Sequence, residues 1–238
     1  MSVLQKITNA VGKIAVLIDP EKKATEEDLI PLLRKINTSK IDFIFIGGST
    51  EKKINLDSII SIIKHHTNLP VIIFPGNYSQ VSSFADAILF LTFLSSKNPK
   101  YLIEQQIKSA PLVFNSKIEV LPTGYVLLDG ENESSTSKLT GVKPLKITNK
   151  KNLLNISLAG KFSGKKILLF DNGSGAKKSI QNSYIKEIKS KTELPIIVGG
   201  GIKSTKEIIT LKKLGVNIII VGNIIENNLS FLDEISSL

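Results

Sequence analysis

The fold is decided by the stretch Leu194-Pro195-Ile196-Ile197-Val198-Gly199-Gly200-Gly201-Ile202-Lys203-Ser204. A second segment of the same kind, Ile218-Ile219-Ile220-Val221-Gly222-Asn223, follows it. Each is a β-branched run without polar interruption, which is typical of a parallel strand buried on both faces. Each ends in glycine, where the backbone is able to approach another group closely. Because they stand near the end of a chain that alternates strands and helices, they predict the last two strands of an α/β fold, the (β/α)8 TIM barrel.

The first of these strand ends is also a candidate phosphate site. Gly199 to Gly201 expose backbone N–H groups, and Ser204 is a candidate N-cap for a helix over residues 205–214. Such N–H groups bind an anion without a charged side chain, and TIM barrels commonly bind phosphate after strands seven and eight. We therefore predict a phosphate ligand here. The alternative, that the glycines only form tight strand-to-helix turns, stays open from the residues alone.

Composition limits the class of protein. The 238 residues, 42% of them hydrophobic, suffice for one large domain, and we expect a single barrel domain over residues 1–238. The absence of cysteine excludes a disulfide framework, thiolate catalysis and a cysteine zinc site. No apolar run reaches the roughly 18 residues of a membrane span, so we expect a cytoplasmic protein. The net charge of +10 comes from scattered lysines, which favours polyanionic small molecules over nucleic acid.

The other strands and helices follow from the hydrophobic pattern. Strand-like runs occupy residues 14–18, 42–46, 71–74, 87–91 and 165–170, and the fifth strand is one of 118–121 and 125–128, with the second favoured. Helical spacing predicts helices over residues 26–40, 55–66, 101–110, 149–158, 179–191 and 224–236. About a dozen residues separate the third and fourth strands, which is short for a crossover helix and predicts an irregular connection. Residues 129–146 are predicted to be a flexible loop on the functional face.

In a barrel the carboxyl ends of all strands meet at one mouth, where the active site lies. The residues at these ends are Asp19, Gly47, Gly48, Ser49, Lys97, Tyr125, Asp171 to Gly175, Gly199 to Gly201, Gly222 and Asn223. The Asp19 carboxylate suits a hard cation such as Mg²⁺, although Asp-Pro is also common turn chemistry. Lys97 is a candidate second anion contact, with a solvated loop lysine as the alternative. Together these ends predict a site for two phosphorylated groups.

The strand-end motifs, taken in order, resemble those of one enzyme family. They are Asp19-Pro20-Glu21-Lys22, Gly47-Gly48-Ser49, Ser96-Lys97-Asn98-Pro99, Gly173-Ser174-Gly175, Gly199-Gly200-Gly201-Ile202 and Val221-Gly222-Asn223. This ordered set is similar to that of the geranylgeranylglyceryl phosphate synthase family, which includes the bacterial heptaprenylglyceryl phosphate synthases. The resemblance implies a Mg²⁺-dependent prenyltransferase of ether-lipid biosynthesis. Such an enzyme joins a polyprenyl diphosphate, here geranylgeranyl diphosphate by expectation, to the C3 hydroxyl of sn-glycerol 1-phosphate and releases diphosphate.

The same resemblance assigns roles to individual residues. Asp19 and Ser49 would hold Mg²⁺, Lys97 would help to hold the prenyl diphosphate, and Phe90, Phe93 or Leu94 would lie near its tail. The glycerol 1-phosphate ligands would be Leu169, Phe170, Asp171, Asn172, Gly173, Ser174, Gly175, Gly200, Gly201, Gly222 and Asn223, with Tyr125 added from its position at a strand end. Asp171 would be the catalytic residue. A homo-oligomer and peripheral contact with a membrane also fit the resemblance.

The sixth strand departs from the family pattern. The family usually has Tyr-Leu-Glu-Ala-Gly-Ser-Gly, and this chain has Leu169-Phe170-Asp171-Asn172-Gly173-Ser174-Gly175. The tyrosine hydroxyl is lost, and the carboxylate that would contact the glycerol hydroxyl is shorter by one methylene. A displacement of roughly an ångström could cost on the order of a hundredfold in rate. Two alternatives therefore stay open: a relative that binds glycerol phosphate or prenyl diphosphate with weakened turnover, and another phosphate-binding barrel such as an isomerase or aldolase.

Overall fold

Eight parallel strands pair in chain order, and the last pairs with the first to close a barrel. The structure is a computed structural model that describes residues 1–48 and 54–238. The strands are β1 (Lys13–Ile18), β2 (Phe43–Gly47), β3 (Val71–Phe74), β4 (Ala87–Phe93), β5 (Glu119–Leu127), β6 (Ile167–Asp171), β7 (Ile196–Gly199) and β8 (Ile218–Val221). The prediction of a (β/α)8 TIM barrel is confirmed.

Helices surround the strands. They are α1 (Val3–Asn9), α2 (Glu26–Asn37), α3 (Leu56–His66), α4 (Gln105–Ser116), α5 (Ser135–Thr140), α6 (Lys150–Phe162), α7 (Asn182–Thr192), α8 (Thr205–Lys213), α9 (Asn223–Asn227) and α10 (Phe231–Ser236). A π-helical turn, Lys100–Glu104, directly precedes α4. No helix of the described ranges is both long and apolar enough to cross a membrane.

Strand side chains alternate between two apolar layers, because successive side chains of a strand point to opposite faces. Leu169 belongs to the cluster inside the barrel, together with Phe45 and Tyr125. Phe170 belongs to the cluster between the strands and the helices. The alternation therefore places Leu169 and Asp171 on the inward side of β6 and Phe170 on the outward side.

Helix α1 lies at the amino end of the barrel and was not predicted from the sequence. Its Val3 and Ile7 pack against the inner cluster. The Glu119 carboxylate, at the start of β5, accepts the N–H groups of Val3 at 2.6 Å and Leu4 at 2.8 Å. Since only two buried positions mark this short helix, its hydrophobic pattern is too brief to signal a helix.

The fifth strand is longer than predicted. Both candidate segments belong to one continuous strand, β5, and Pro122 lies within it. The carbonyl of Pro122 accepts the N–H of Lys166, directly before β6 begins, so this residue faces β6. β6 pairs with β5 only from Thr123 onward, so the missing N–H of Pro122 removes no bond between strands. The proline therefore does not interrupt the strand.

The predictions for two connections and for the last helix have different outcomes. The predicted irregular connection between β3 and β4 is confirmed over residues 75–86, which form turns and bends. Residues 129–146 are not all irregular, because Ser134 caps helix α5 by accepting the N–H of Ser137. The predicted last helix is divided into α9 and α10. The Asn228 side chain accepts the N–H of Ser230, a local bond that competes with helix continuation.

Candidate active site

A cavity of about 600 Å³ opens at the carboxyl ends of the strands. The residues predicted from the sequence that line it are Asp19, Gly47, Gly48, Phe93, Tyr125, Leu169, Asp171, Ser174, Gly175, Gly199, Gly200, Gly201, Gly222 and Asn223. The structure thus brings together strand ends that are far apart in the chain. Their individual contacts with ligands stay predictions.

The glycine segment after β7 approaches the end of β6 closely. Gly200 has φ +80°, and a Cβ built on it would lie 2.6 Å from the Gly173 nitrogen and 2.8 Å from Oδ1 of Asp171. Gly201 has φ +72°, and its Cβ would lie 2.7 Å from the Cβ of Ala176. Only glycine fits such positions, because of both the conformation and the contact. The result is a concave wall of backbone suited to a phosphate group.

The predicted cap of α8 is present, with one consequence for anion binding. The Oγ of Ser204 accepts the N–H of Glu207 at 3.3 Å, as an N-cap does. The Glu207 carboxylate in turn accepts the N–H groups of Lys203 at 2.7 Å and Ser204 at 3.0 Å. These two N–H groups of the helix terminus are therefore engaged. The backbone of the preceding glycines is the better candidate for the phosphate contact.

Ser174 and Asn223 connect the loop after β6 to the end of β8. The side-chain nitrogen of Asn223 donates to the Oγ of Ser174 at 2.5 Å. Both residues line the cavity, and Gly222 lies beside them in its wall. This hydrogen bond fixes the position of the loop after β6 relative to the end of β8, and both segments are predicted to bind phosphate.

Asn172 stabilises the glycine segment and does not line the cavity. Its side chain is fully buried. Its nitrogen donates to the carbonyls of Gly199 at 2.9 Å and Gly200 at 3.3 Å, and its Oδ1 accepts the N–H of Ile180 at 3.1 Å. The prediction of Asn172 as a direct ligand is therefore corrected for its side chain, which is occupied by backbone groups. Its contribution is to position the glycine segment.

Asp171 is held by two hydrogen bonds from opposite sides. The Tyr125 hydroxyl donates to Oδ2 at 2.5 Å, and the Gly173 N–H donates to Oδ1 at 2.7 Å. The register of β5 and β6 pairs Tyr125 with Leu169, two residues before Asp171 on the same inward face. The sequence indicated both residues but not their contact, because pairing between strands is not visible in a single chain.

Burial changes the acidity of both groups. Burial raises the pKa of Asp171, and the hydrogen bonds from Tyr125 and Gly173 partly offset this effect. Burial also raises the pKa of Tyr125 well above 10.0, and the neighbouring carboxylate adds to the shift. Tyr125 is therefore a neutral hydrogen-bond donor at neutral pH, and Asp171 is a stronger base than an exposed aspartate.

Asp19 lies in the cavity beside a lysine that its motif contains. The Asp19 Oδ1 accepts the N–H of Glu21 at 3.0 Å, and Oδ2 lies 3.8 Å from the Nζ of Lys22. The same Nζ contacts Oε2 of Glu226 at 2.6 Å, and this hydrogen bond raises the pKa of Lys22. Lys22 and Glu226 both line the cavity and were not singled out from the sequence. The position of Lys22 in the Asp-Pro-Glu-Lys motif was the available signal.

The carboxylate of Asp19, in the cavity wall, is a type of ligand that suits Mg²⁺. No group of three or more His, Asp or Glu side chains able to hold a metal occurs within the two described ranges. Mg²⁺ commonly takes one or two carboxylates, with substrate phosphates and water completing its octahedral coordination. Asp19 in the cavity meets that requirement. Ser49, the second predicted ligand, lies outside the described residues.

Asn172 and Gly173 are absent from the cavity wall, and the Gly173 N–H is engaged by Asp171. Three further residues predicted for the site have other surroundings. Phe170 is buried between the barrel and the helices, so the prediction that it contacts glycerol 1-phosphate is corrected for its side chain. Lys97 is exposed and is absent from the cavity wall, so its contact with a diphosphate stays a prediction. Leu94 packs outside the strands, where its Cδ1 approaches Gly124 and Gly160. It is therefore not near a tail inside the cavity.

An apolar extension leads away from the polar end. Leu17, Phe74, Leu91 and Phe93 form part of the main wall. A second cavity of about 50 Å³ shares Pro75, Gly76, Leu91 and Phe93 with it, and Phe90 lines this second cavity. It lies between the irregular β3–β4 connection, β4 and α4. Its apolar lining suits an apolar group.

The family model that matches this chain is that of the PcrB family, over residues 7–237. The chain belongs to the PcrB family. Its similar relatives include the geranylgeranylglyceryl phosphate synthase of Flavobacterium johnsoniae, which is 39% identical over 98% of this chain and 95% of that protein.

Two solved structures resemble this PcrB family member over its whole length. The structure of (S)-3-O-geranylgeranylglyceryl phosphate synthase from Thermoplasma acidophilum, in complex with its substrate sn-glycerol 1-phosphate, has a TM-score of 0.90 at 29% identity and 100% coverage of both chains. The enzyme from Thermoplasma volcanium has a TM-score of 0.90 at 30% identity, with 100% of this chain and 99% of that chain covered.

Proposed function

We propose that this protein transfers a polyprenyl group, geranylgeranyl by expectation, from its diphosphate to the C3 hydroxyl of sn-glycerol 1-phosphate in ether-lipid synthesis. The observation that carries the proposal is one cavity with two different ends. One end combines the glycine wall with the partly buried carboxylate of Asp171, and the other shares its apolar wall with the second cavity. The relatives named as geranylgeranylglyceryl phosphate synthases support the same substrates.

The chemistry requires one bond to break and one to form. The bond between the allylic carbon and the diphosphate oxygen breaks, and the electron pair leaves with the diphosphate. The C3 oxygen of the glycerol forms the new ether bond, and its proton moves to the Asp171 carboxylate. A positioned base contributes typically 10²- to 10⁴-fold to such a step. The raised pKa of Asp171 makes it a better proton acceptor than an exposed aspartate.

The diphosphate end is assigned to Asp19 and the lysine beside it. When bound at Asp19, with Ser49 as the further ligand implied by the resemblance, Mg²⁺ supplies positive charge that stabilises the leaving diphosphate. Lys22 is the cavity lysine nearest to Asp19. We assign to it a direct contact with the diphosphate, beside the contact expected of Lys97.

The tail is assigned to the apolar wall. Phe93 lines both cavities, and its ring centroid lies 4.4 Å from that of Tyr125. The tail would pass this aromatic pair and enter the space below the β3–β4 connection. Apolar burial of this kind stabilises a bound chain by roughly 25 cal/mol per Å².

The test is transfer of label into an organic phase. The purified protein is incubated with labelled sn-glycerol 1-phosphate, Mg²⁺ and one prenyl diphosphate at a time, from farnesyl to longer chains. Label in the organic extract is expected, greatest for one chain length and lost when the metal is removed with a chelator. The Asp171→Asn variant keeps the shape of the side chain but removes the base. Its kcat is expected to be about 10²- to 10⁴-fold lower than that of the wild type.

A second candidate is a relative that binds glycerol phosphate with little turnover. The observation in its favour is the sixth-strand sequence, where Leu169 and Asp171 replace the tyrosine and glutamate usual in the family. Binding of glycerol 1-phosphate without labelled product, for any prenyl chain, would support this candidate. An isomerase or aldolase is less consistent with membership of the PcrB family.

Assembly and location are part of the proposal. We expect a homo-oligomer, in the cytoplasm, with contact to a membrane surface when its lipid product is released. Light scattering after size-exclusion chromatography measures the oligomeric state, and sedimentation with lipid vesicles measures the contact with a membrane surface.

A further inference from the structure

The Tyr125 hydroxyl has a position that few side chains could reproduce. Its ring lies in the barrel interior with 1% of its surface exposed. Phe93 packs against the ring with centroids 4.4 Å apart, and Phe74 does so at 6.1 Å. These contacts fix the ring, and therefore fix the direction in which its hydroxyl donates.

The Asp171 carboxylate accepts the hydrogen bond from Tyr125, and rotating this carboxylate would break at least one of its two hydrogen bonds. Tyr125 holds Oδ2 at 2.5 Å, and the Gly173 N–H holds Oδ1 at 2.7 Å. A carboxylate oxygen accepts up to two hydrogen bonds, so each oxygen retains capacity for a hydroxyl of the substrate. Asp171 also lines the cavity, which gives a ligand access to that capacity.

The length of the side chain matches the distance to the phenol. A glutamate at this position would carry its carboxylate further by about 1.5 Å, the length of one carbon–carbon bond. The phenol oxygen is already 2.5 Å from Oδ2, and Gly200 approaches the other oxygen so closely that a Cβ added to it would lie 2.8 Å from Oδ1. A longer carboxylate therefore cannot keep both hydrogen bonds in this arrangement.

We propose that Tyr125 is the positioning residue for Asp171, holding its carboxylate toward the glycerol hydroxyls, and that Asp171 is matched to this phenol rather than being a weakened glutamate. The inference rests on the proposed function for the identity of the ligand. In the transfer step the proton of the C3 hydroxyl passes to Asp171, and Tyr125 keeps its own proton. Tyr125 thus acts through Asp171.

The experiment compares Tyr125→Phe, Asp171→Glu and the double variant with the wild type. Tyr125→Phe removes the hydroxyl and keeps the ring. Tyr184→Phe, which removes a phenol hydroxyl on α7 outside both cavity walls, is the matched control. Calorimetry measures the affinity for sn-glycerol 1-phosphate and for inorganic phosphate, which lacks the hydroxyls. Kinetics gives kcat and KM, and thermal melting reports folding.

A hydrogen bond to a charged group is worth about 1.5–3 kcal/mol, so Tyr125→Phe is expected to lower kcat or the affinity for glycerol phosphate about 10- to 100-fold. Its affinity for inorganic phosphate is expected to stay within about twofold, since the glycine wall is intact. Asp171→Glu is expected to lose at least as much as Tyr125→Phe. The double variant is expected to recover part of the loss, because removing the phenol oxygen makes room for the longer carboxylate.

Three results would overturn the inference: wild-type values for Tyr125→Phe, an equal loss of inorganic phosphate and glycerol phosphate, or an Asp171→Glu variant that exceeds the wild type. The failure of the proposed function is distinguishable from these results. A wild type that transfers no prenyl group would remove the proposed activity, and the comparison of glycerol phosphate with inorganic phosphate would still decide the role of Tyr125.

Discussion

The Nζ of Lys22 lies 2.6 Å from Oε2 of Glu226, and this ion pair joins the loop after β1 to helix α9 after β8. It crosses the point where the barrel closes, beside the carboxylate of Asp19. Lys22 remains partly exposed, with 53% of its side-chain surface accessible. Lys22 also lines the cavity, so a ligand bound there has access to its side chain.

Replacing Lys22 by alanine is expected to weaken the binding of prenyl diphosphate more than the binding of glycerol phosphate. Loss of one contact between an ammonium group and a diphosphate predicts an increase in KM of about tenfold, with the KM of glycerol 1-phosphate changed less than about twofold. Steady-state kinetics with each substrate varied in turn measures both. Lys97→Ala is the matched comparison. A larger effect of Lys97→Ala would mean that the diphosphate binds at the loop before α4 and not beside Lys22.

Gly200→Ala is expected to abolish binding of glycerol phosphate. The new Cβ would lie 2.6 Å from the Gly173 nitrogen, so the wall of the phosphate site must move. We expect the affinity to fall about 100-fold or more, since both the conformation and the contact are lost. Gly164→Ala is the control, because Gly164 also has a positive φ of +83° but nothing lies within 4 Å of its Cβ. Gly164 lies before β6, away from the cavity wall, so an equal loss of affinity in both variants would contradict a local effect of the close approach at Gly200.

The activity is expected to depend on pH through Asp171. The folded protein binds the proton of this carboxyl more tightly than an ordinary aspartate does, so the active ionised form is lost at a higher pH than 3.8 as the pH falls. Ionisation also opposes folding, so this carboxyl contributes stability at low pH that is lost as the pH rises through its folded pKa. The hydrogen bonds from the Tyr125 hydroxyl and the Gly173 N–H lower the pKa of Asp171 and so partly offset the effect of burial.

Tyr125→Phe is therefore expected to move the acidic limb of kcat/KM to higher pH. The substrate phosphate titrates identically with both proteins, so the difference between the two profiles belongs to the enzyme. An unchanged limb would mean that the hydroxyl of Tyr125 does not affect the ionisation of Asp171.

Asn217→Ala is expected to destabilise the fold without acting on the site. This buried side chain donates to the carbonyls of Ile7 at 3.2 Å and Ala10 at 2.8 Å, and it accepts the N–H of Ile196 at 3.0 Å. Its removal leaves buried backbone groups unpaired, at a cost of about 2–4 kcal/mol. For a domain of this size that lowers Tm by roughly 5–15 °C. Asn115→Ala, at an exposed position of α4, is expected to shift Tm by less than about 2 °C.

The sequence predicted those features that depend on neighbouring residues. The strand Val71–Phe74 and the cap at Ser204 were predicted correctly, because a β-branched run and a serine before a helix act locally. The pairing of Tyr125 with Asp171 and of Lys22 with Glu226 was not predicted, because each pair joins distant segments whose register only the folded barrel defines. The prediction divided β5 into two candidate segments, separated by Pro122, Thr123 and Gly124, for the same reason, since the effect of the proline depends on where the neighbouring strand begins.

The central claim is that the C3 hydroxyl of sn-glycerol 1-phosphate, oriented by Asp171, receives the prenyl group. The most direct measurement is the rate of organic-extractable label from sn-glycerol 1-phosphate and from its mirror image, with geranylgeranyl diphosphate and Mg²⁺, for the wild type and Asp171→Asn. The account predicts fast transfer to sn-glycerol 1-phosphate, little to the enantiomer, and a loss of about 10²-fold or more in the variant. Transfer to both enantiomers at equal rates, or an Asp171→Asn variant as fast as the wild type, would contradict it.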